Sequence, residues 1–272
     1  MLLRHGLSFP FLQLLRKASK MLVFDFDDAV FTKSSGKPSS VRAKRFDKTV
    51  ALCDQIWAGN RYLAHRAKHV NQNVFVLPTA VDMSRYESVV ANKPTEFVDL
   101  VWIGSRSTSK YLKEILPILE LAAQKDSCLR LKIIADFSLE SQYLTIIPVN
   151  WREESEVQEL KQAHIGIAPM PDTPWTRGKC ALKVLQYMAA SLPVISSNCG
   201  ANAEVIVHRK TGLLVNTENE WLEAILELSK NSRLRHEMGK NALQSCSQSY
   251  SLDKCSEKIL ELLEKKNSVP SS

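Results

Sequence analysis

Short apolar runs, four to six residues long, recur along this chain and alternate with longer segments of helical period. The runs fall at 22–26, 74–77, 98–103, 131–135, 165–168, 192–196 and 212–215. Helical patterns lie at 110–124, 155–162, 180–190 and 218–228. The runs carry almost no polar alternation, so each strand must be buried on both faces. Strands of that kind, alternating with helices, build a parallel sheet with helices on both sides. The expected fold class is therefore α/β. Pro117 falls inside one helical pattern and is expected to kink it.

The stretch TAVDMSRYESVVANKPTEF (79–97) is polar, contains Pro94 and reads as a connection between two units, with the linker at 83–97. The unit after it, 98–250, has the length of one complete doubly wound half. The unit before it, 1–82, shows only two convincing strands, 22–26 and 74–77, where a nucleotide-fold half needs several more. Either it docks on the larger unit or the chain is missing an N-terminal portion. The final pattern, 251–266, places Leu252, Cys255, Ile259, Leu262 and Leu263 on one stripe of a helix, with Ser251 as its N-cap. The tail 267–272 is expected to fray.

The formal net charge of +7 over 272 residues points to anionic partners, among them phosphorylated ligands and membrane surfaces. Nucleic acid is set aside, because no RNA-binding motif, helix-turn-helix or zinc-finger spacing is present. The cysteines, at 53, 128, 180, 199, 246 and 255, form no C-x-x-C and no cluster with histidine. That pattern suits reduced thiols in a cytoplasmic protein rather than disulfides or zinc. No apolar run reaches the roughly 18 residues of a membrane span. Residues 11–19 read as a short basic amphipathic helix; a plain surface helix is the favoured reading, and contact with a membrane surface is the alternative.

The run MLVFDFDDAVF (21–31) ends in Asp25, Asp27 and Asp28 and raises the question of a dehalogenase-like phosphatase. Such an enzyme also needs a later acidic pair to hold magnesium. The sequence has no Gly-Asp dipeptide, and Asp27-Asp28 is its only Asp-Asp pair. The phosphatase ranks last for that reason. The aspartates still sit at the carboxyl end of a parallel strand, where such sheets place ligand-binding residues.

The richest stretch is PMPDTPWTRGKCALKVLQYMAASLPVISSNCGANAEVI (169–206). A helix is expected to begin after Gly178, with Lys179, Lys183 and Gln186 on one face at i, i+4 and i+7. Those lysines suit an anion in a cleft. Next come a strand, a polar loop with Gly200 and a helix opening near Glu204, where loop amides and a helix start can hold phosphate or sugar hydroxyls. VWIGSRSTSKYLKEIL (101–116) repeats the design with Gly104, Ser105, Ser107 and Thr108, and adds the charges of Arg106 and Lys110. The Walker spacing G-x-x-x-x-G-K is absent. Two such loops and two lysines make a diphosphate ligand the best single explanation.

GKCALKVLQYMAASLPVISSNCGANAEVIVHRKTGLLV (178–215) resembles the donor-binding half of GT-B glycosyltransferases of the large retaining family 4 (glycosyl transferases group 1). The family pattern E-x-F-G-x-x-x-x-E-A-M-A-x-G-x-P-V-V, G-G-x-x-E and G-x-L-V is matched at Met188-Ala189, Pro193-Val194, Gly200, Glu204 and Gly212. VWIGSRSTSKYL, VFVLPTAVDMSRY, DQIWAGNRYLAHRA and LVFDFDDAVF resemble further parts of that fold, so the resemblance covers about 12–265. The family's paired glutamates would fall at Gly178 and Gln186: the first is absent and the second is an amide.

The resemblance implies a complete Rossmann-like donor domain, a partial N-terminal acceptor-side domain and a C-terminal helix crossing back to it. It implies transfer of a sugar from a nucleotide-diphospho-sugar to an acceptor glycan or lipid, with retention and with no metal or other cofactor. Diphosphate contact then falls to Gly104, Ser105, Arg106, Thr108, Lys110, Lys179 and Lys183, and ribose contact to Gln186. Gly200 and Glu204 would hold the donor sugar or phosphate, and Asp27 or Asp28 would act catalytically from the acceptor side. The expected location is cytoplasmic, or peripheral at the inner face of the membrane. Three classes stay open: a glycosyltransferase, an inactive or partner-dependent nucleotide-sugar-binding fragment, and the phosphatase.

Overall fold

The structure is a computed structural model that describes residues 1–3, 9–90 and 92–264. The expected fraying of the tail 267–272, and the last two residues of the helix expected over 251–266, lie outside the described residues.

The chain forms two parallel sheets with helices packed on them. The first part runs β1 (Leu2–Leu3), α1 (Phe9–Ala18), β2 (Val23–Phe26), α2 (Ser40–Leu52), β3 (Gln55–Ala58), α3 (Arg61–Lys68), β4 (Val74–Val76) and the short α4 (Ser84–Glu87). The second runs β5 (Val98–Ile103), α5 (Ser109–Lys125), β6 (Leu129–Ala135), β7 (Thr145–Asn150), α6 (Glu153–Lys161), β8 (Ile165–Ala168), α7 (Leu182–Ala189), β9 (Val194–Ser197), α8 (Gly200–Val205), β10 (Gly212–Val215), α9 (Glu218–Lys230), α10 (Ser232–Tyr250) and α11 (Leu252–Glu264).

Strand order is β1-β2-β3-β4 in the smaller sheet and β10-β9-β8-β5-β6-β7 in the larger. Every pair is parallel, with Phe24 opposite Ile56 and Ile167 opposite Ile195. The larger sheet is covered by α5 and α9 on one face, through Leu112, Leu119 and Ile225. On the other face α7 and α10 bury Val184, Leu185, Met188 and Ala242. In the smaller sheet Phe24 and Phe26 stack on each other and meet Phe46 of α2 edge-on. Helix α11 returns to that sheet: Leu262 packs with Val23 and Trp57, and its carbonyl accepts from Gln55 Nε2 at 2.8 Å.

Several elements differ from expectation. The first part has four strands where two were expected. The run QIWA of β3 is short but buried at every position, and β1 has two residues, too few to register as a pattern. Strand β7 was missed because it contains Pro148 and is half exposed, both marks of an edge strand. Helix α5 runs on through Pro117.

The helix expected from position 180 starts at Leu182 instead. A 3-10 turn at Thr176–Gly178 is followed by extended Lys179, and Ala181 adopts a left-handed φ of 57°. Lys179 is therefore off the helix, and the shared face expected for Lys179, Lys183 and Gln186 does not form.

Candidate functional site

A cleft cavity of about 310 Å³ lies where the two sheets meet. Its wall combines loops beyond the carboxyl ends of β2, β5 and β8, together with the start of α7. Parallel sheets collect ligand groups at this edge, because each strand ends in a loop facing the same side. Of the residues singled out in the sequence, Asp27, Asp28, Thr108, Lys179 and Lys183 line it.

Lys183 is the deepest of these. Its ammonium lies 4.1 Å from the centre of the Trp102 ring and donates to Thr108 Oγ1 at 3.2 Å. The cation over the ring face gains electrostatic attraction in place of lost water. Burial, and then the like charge of Lys179, bring its pKa down to about 7. Gly104 makes room for this side chain: a Cβ there would stand 2.6 Å from Lys183 Nζ and 2.5 Å from Trp102 Cη2.

Lys179 bridges the two sheets. Its Nζ donates to Asp28 Oδ1 at 2.7 Å and lies 4.7 Å from the centre of the Trp175 ring. The bridge is reinforced by Asn60 at the end of β3. Asn60 Oδ1 caps α3 by accepting from the Leu63 N–H, while Nδ2 donates to the carbonyls of Arg177 and Lys179, each at 3.0 Å. The Cys180 thiol adds a contact at 3.2 Å to the Asp27 carbonyl, and its burial raises its pKa, so it stays a neutral thiol.

The other named residues stand apart from this cavity. Ser105 pairs with Ser107, and Arg106 turns away to the Asp136 carbonyl at 3.0 Å. Lys110 lies over the Tyr111 ring. Gln186 donates to Glu156 Oε1 at 2.9 Å and is not part of the cavity wall. Gly200 has a φ of +53°, and a Cβ there would stand 3.0 Å from Arg177 Cα. Glu204 accepts from the Arg61 N–H at 3.3 Å, and burial raises its pKa. Tyr187 is structural: its buried hydroxyl accepts from the Ile103 N–H and donates to the Ile167 carbonyl.

Sequence reasoning missed Tyr111, Asn202 and Met170 in the lining. Asn202 was legible as a polar residue near the start of the helix after β9, which is α8. Tyr111 and Met170 look like ordinary packing residues and carry no signal of their own. Trp102 was equally hidden, being an apolar strand residue whose ring end underlies Lys183.

Residues 97–231 match the family described as glycosyl transferases group 1. A protein described as a probable sucrose-phosphate synthase from Thermosipho melanesiensis is 34% identical over 89 residues, 32% of this chain and 20% of its own length. The structure of Staphylococcus aureus TarM with UDP, fondaparinux and α-GlcNAc-glycerol superposes with a TM-score of 0.68 at 15% identity, over 88% of this chain and 50% of that one. A UDP-forming α,α-trehalose-phosphate synthase from Burkholderia xenovorans gives a TM-score of 0.74 at 13% identity, over 98% of this chain and 73% of that one. The chain thus spans a fifth of its first curated relative in matched sequence, and half of TarM in structure. At such identities the structural likeness establishes the fold, which is that of GT-B glycosyltransferases.

Proposed function

From a chain whose residues 97–231 match the glycosyl transferases group 1 family, we infer a sugar transferase that uses a nucleotide-diphospho-sugar, with UDP as the nucleotide we favour. UDP is present in the similar TarM structure, and the Burkholderia relative is named as UDP-forming. The observation that carries the reading is the convergence of Lys179, Lys183 and Thr108 on one cavity between the sheets.

In this proposal the diphosphate lies against Lys183 and Thr108, and Lys179 turns from Asp28 towards it. Breaking the bond from the sugar's anomeric carbon to its phosphate oxygen puts negative charge on the leaving diphosphate. Two ammonium groups held beforehand at that position stabilise the charge as it develops. They supply the role a metal ion would otherwise have, so the transfer is proposed to need none. The acceptor oxygen forms the new bond on the same face, with retention, and loses its proton. Asp27 or Asp28, facing the cavity from the smaller sheet, is positioned to receive it.

Gly104, Ser105, Arg106 and Lys110 remain proposed as the outer edge of the phosphate loop, and Gly200 and Glu204 as the wall near the sugar. Gln186 would reach a ribose only after releasing Glu156. The acceptor is proposed to be a glycan or a lipid. A peripheral membrane contact belongs to the same proposal, since Phe11 and Leu14 of α1 stand exposed beside Lys17.

The test is calorimetric titration of the chain with UDP, GDP and their glucose conjugates, with and without magnesium, for the native protein and Lys183→Ala. The proposal expects saturable binding that the substitution removes. Absence of binding from the folded native protein overturns it.

A further inference from the structure

A second cavity, of about 540 Å³, lies at the opposite end of the larger sheet. It sits at the amino ends of β5, β8 and β9, whereas the cleft cavity lies beyond the carboxyl ends of β5 and β8. Lys93 enters it from the chain before β5, Lys161 from the end of α6 and Arg235 from α10.

Two of these cations are fixed in direction by backbone carbonyls. Lys161 Nζ donates to the carbonyls of Tyr86 and Val89 at 2.6 and 2.5 Å. Arg235 Nη1 donates to those of Leu228 and Ser229 at 2.6 and 2.7 Å. Carbonyls orient these charges without neutralising them. None of the three cations belongs to an ion pair among the described residues. Glu87 is the one carboxylate in the described wall, and Asp126 acts on Arg235 from outside it. Lys93 shows the imbalance: crowding by the wall, then the charges of Arg235 and Lys161, draw its pKa down to about 8. Three oriented or free cations in one concavity recognise a compact polyanion, because each offers N–H groups as well as charge.

We propose that this cavity binds the phosphate group of a small phosphate monoester through Lys93, Lys161 and Arg235. Val90 and Pro193 give the organic part an apolar wall, and the volume exceeds what a lone phosphate fills. The site is separate from the proposed nucleotide-sugar cleft and does not depend on that reading.

The experiment is calorimetric titration of the chain with glucose 6-phosphate and with inorganic phosphate at low ionic strength, for the native protein, Lys93→Ala, Arg235→Gln and Lys183→Ala. Lys93 has no hydrogen-bond partner among the described residues, so its variant keeps the fold if Arg235→Gln does not, and circular dichroism checks both. The expected result is saturable binding of glucose 6-phosphate, tighter than inorganic phosphate. Lys93→Ala should weaken it at least about tenfold, the loss of one charge-assisted contact, and Lys183→Ala should leave it unchanged. Binding that Lys183→Ala removes and Lys93→Ala spares would place the anion in the cleft and overturn the proposal. So would the absence of saturable binding, and equal affinity for inorganic phosphate would overturn the monoester assignment.

Discussion

The Lys179 ammonium lies 2.7 Å from Asp28 Oδ1 and ties the loop ahead of α7 to the loop after β2. Both side chains keep about a third of their surface exposed. A pair so placed is worth at most about 1 kcal/mol, so a ligand anion can replace the carboxylate without large cost. Asp28→Asn should therefore tighten UDP binding by up to about fivefold, while Lys179→Ala weakens it. If Asp28 also receives the acceptor's proton, sugar transfer by Asp28→Asn falls even as binding improves. Calorimetry and a transfer assay on the same variant separate the two.

Lys183 gives the cleft a pH dependence. Its pKa of about 7 in the free protein means that the ammonium is lost as pH rises through neutrality. A diphosphate binds the charged form, so UDP affinity should fall above pH 7 by up to about tenfold per unit, with proton uptake on binding. Titrations at pH 8 in buffers of different ionisation enthalpy would show that uptake. Because this pKa is lowered on folding, the unfolded chain binds the extra proton between about pH 7 and the ordinary lysine value of 10.5. Lys183 thus makes the fold more stable as pH rises through that window, and Lys183→Met should remove that contribution to the pH dependence of urea midpoints.

Asn60 performs two tasks that substitutions can divide. Asn60→Ala loses the α3 cap and both hydrogen bonds to the loop of the larger sheet, and should cost about 2–4 kcal/mol. Asn60→Asp keeps the cap acceptor but turns a carboxylate towards the Arg177 and Lys179 carbonyls. It should leave α3 intact while loosening the contact between the sheets. Urea denaturation, with hydrogen exchange resolved to α3 and 176–181, would distinguish them.

Ser191 holds a left-handed φ of 59°, where a Cβ is strained, and none of its side-chain atoms is hydrogen bonded among the described residues. Ser191→Gly should stabilise the protein by about 1 kcal/mol, read as a raised denaturation midpoint. A lowered midpoint would mean that the strain is relieved elsewhere.

Much of this was legible beforehand. The apolar runs gave the parallel strands of the larger sheet, because a strand buried on both faces must be apolar throughout. The family-like block 178–215 led to Lys179 and Lys183, both of which line the cleft cavity. Their geometry was not legible. Helical spacing put Lys179, Lys183 and Gln186 on one face, but left-handed Ala181 takes Lys179 off the helix, and the Gln186 amide is engaged by Glu156. The glycine of the family pattern's M-A-x-G falls on Ser191, which keeps the left-handed backbone without the residue that favours it.

The sequence by itself determined the layered α/β architecture and the residue types able to meet an anion, since burial and charge are local properties of each position. Only the tertiary structure decided which of those residues act together. Lys183 is set against Trp102 and Thr108, and Lys179 against Asp28, by contacts 75 to 151 residues apart in the chain. Spacing along a sequence carries no information about such pairs. They exist because two sheets present their loops to a common cleft, and because Asn60 and Lys179 hold that cleft together.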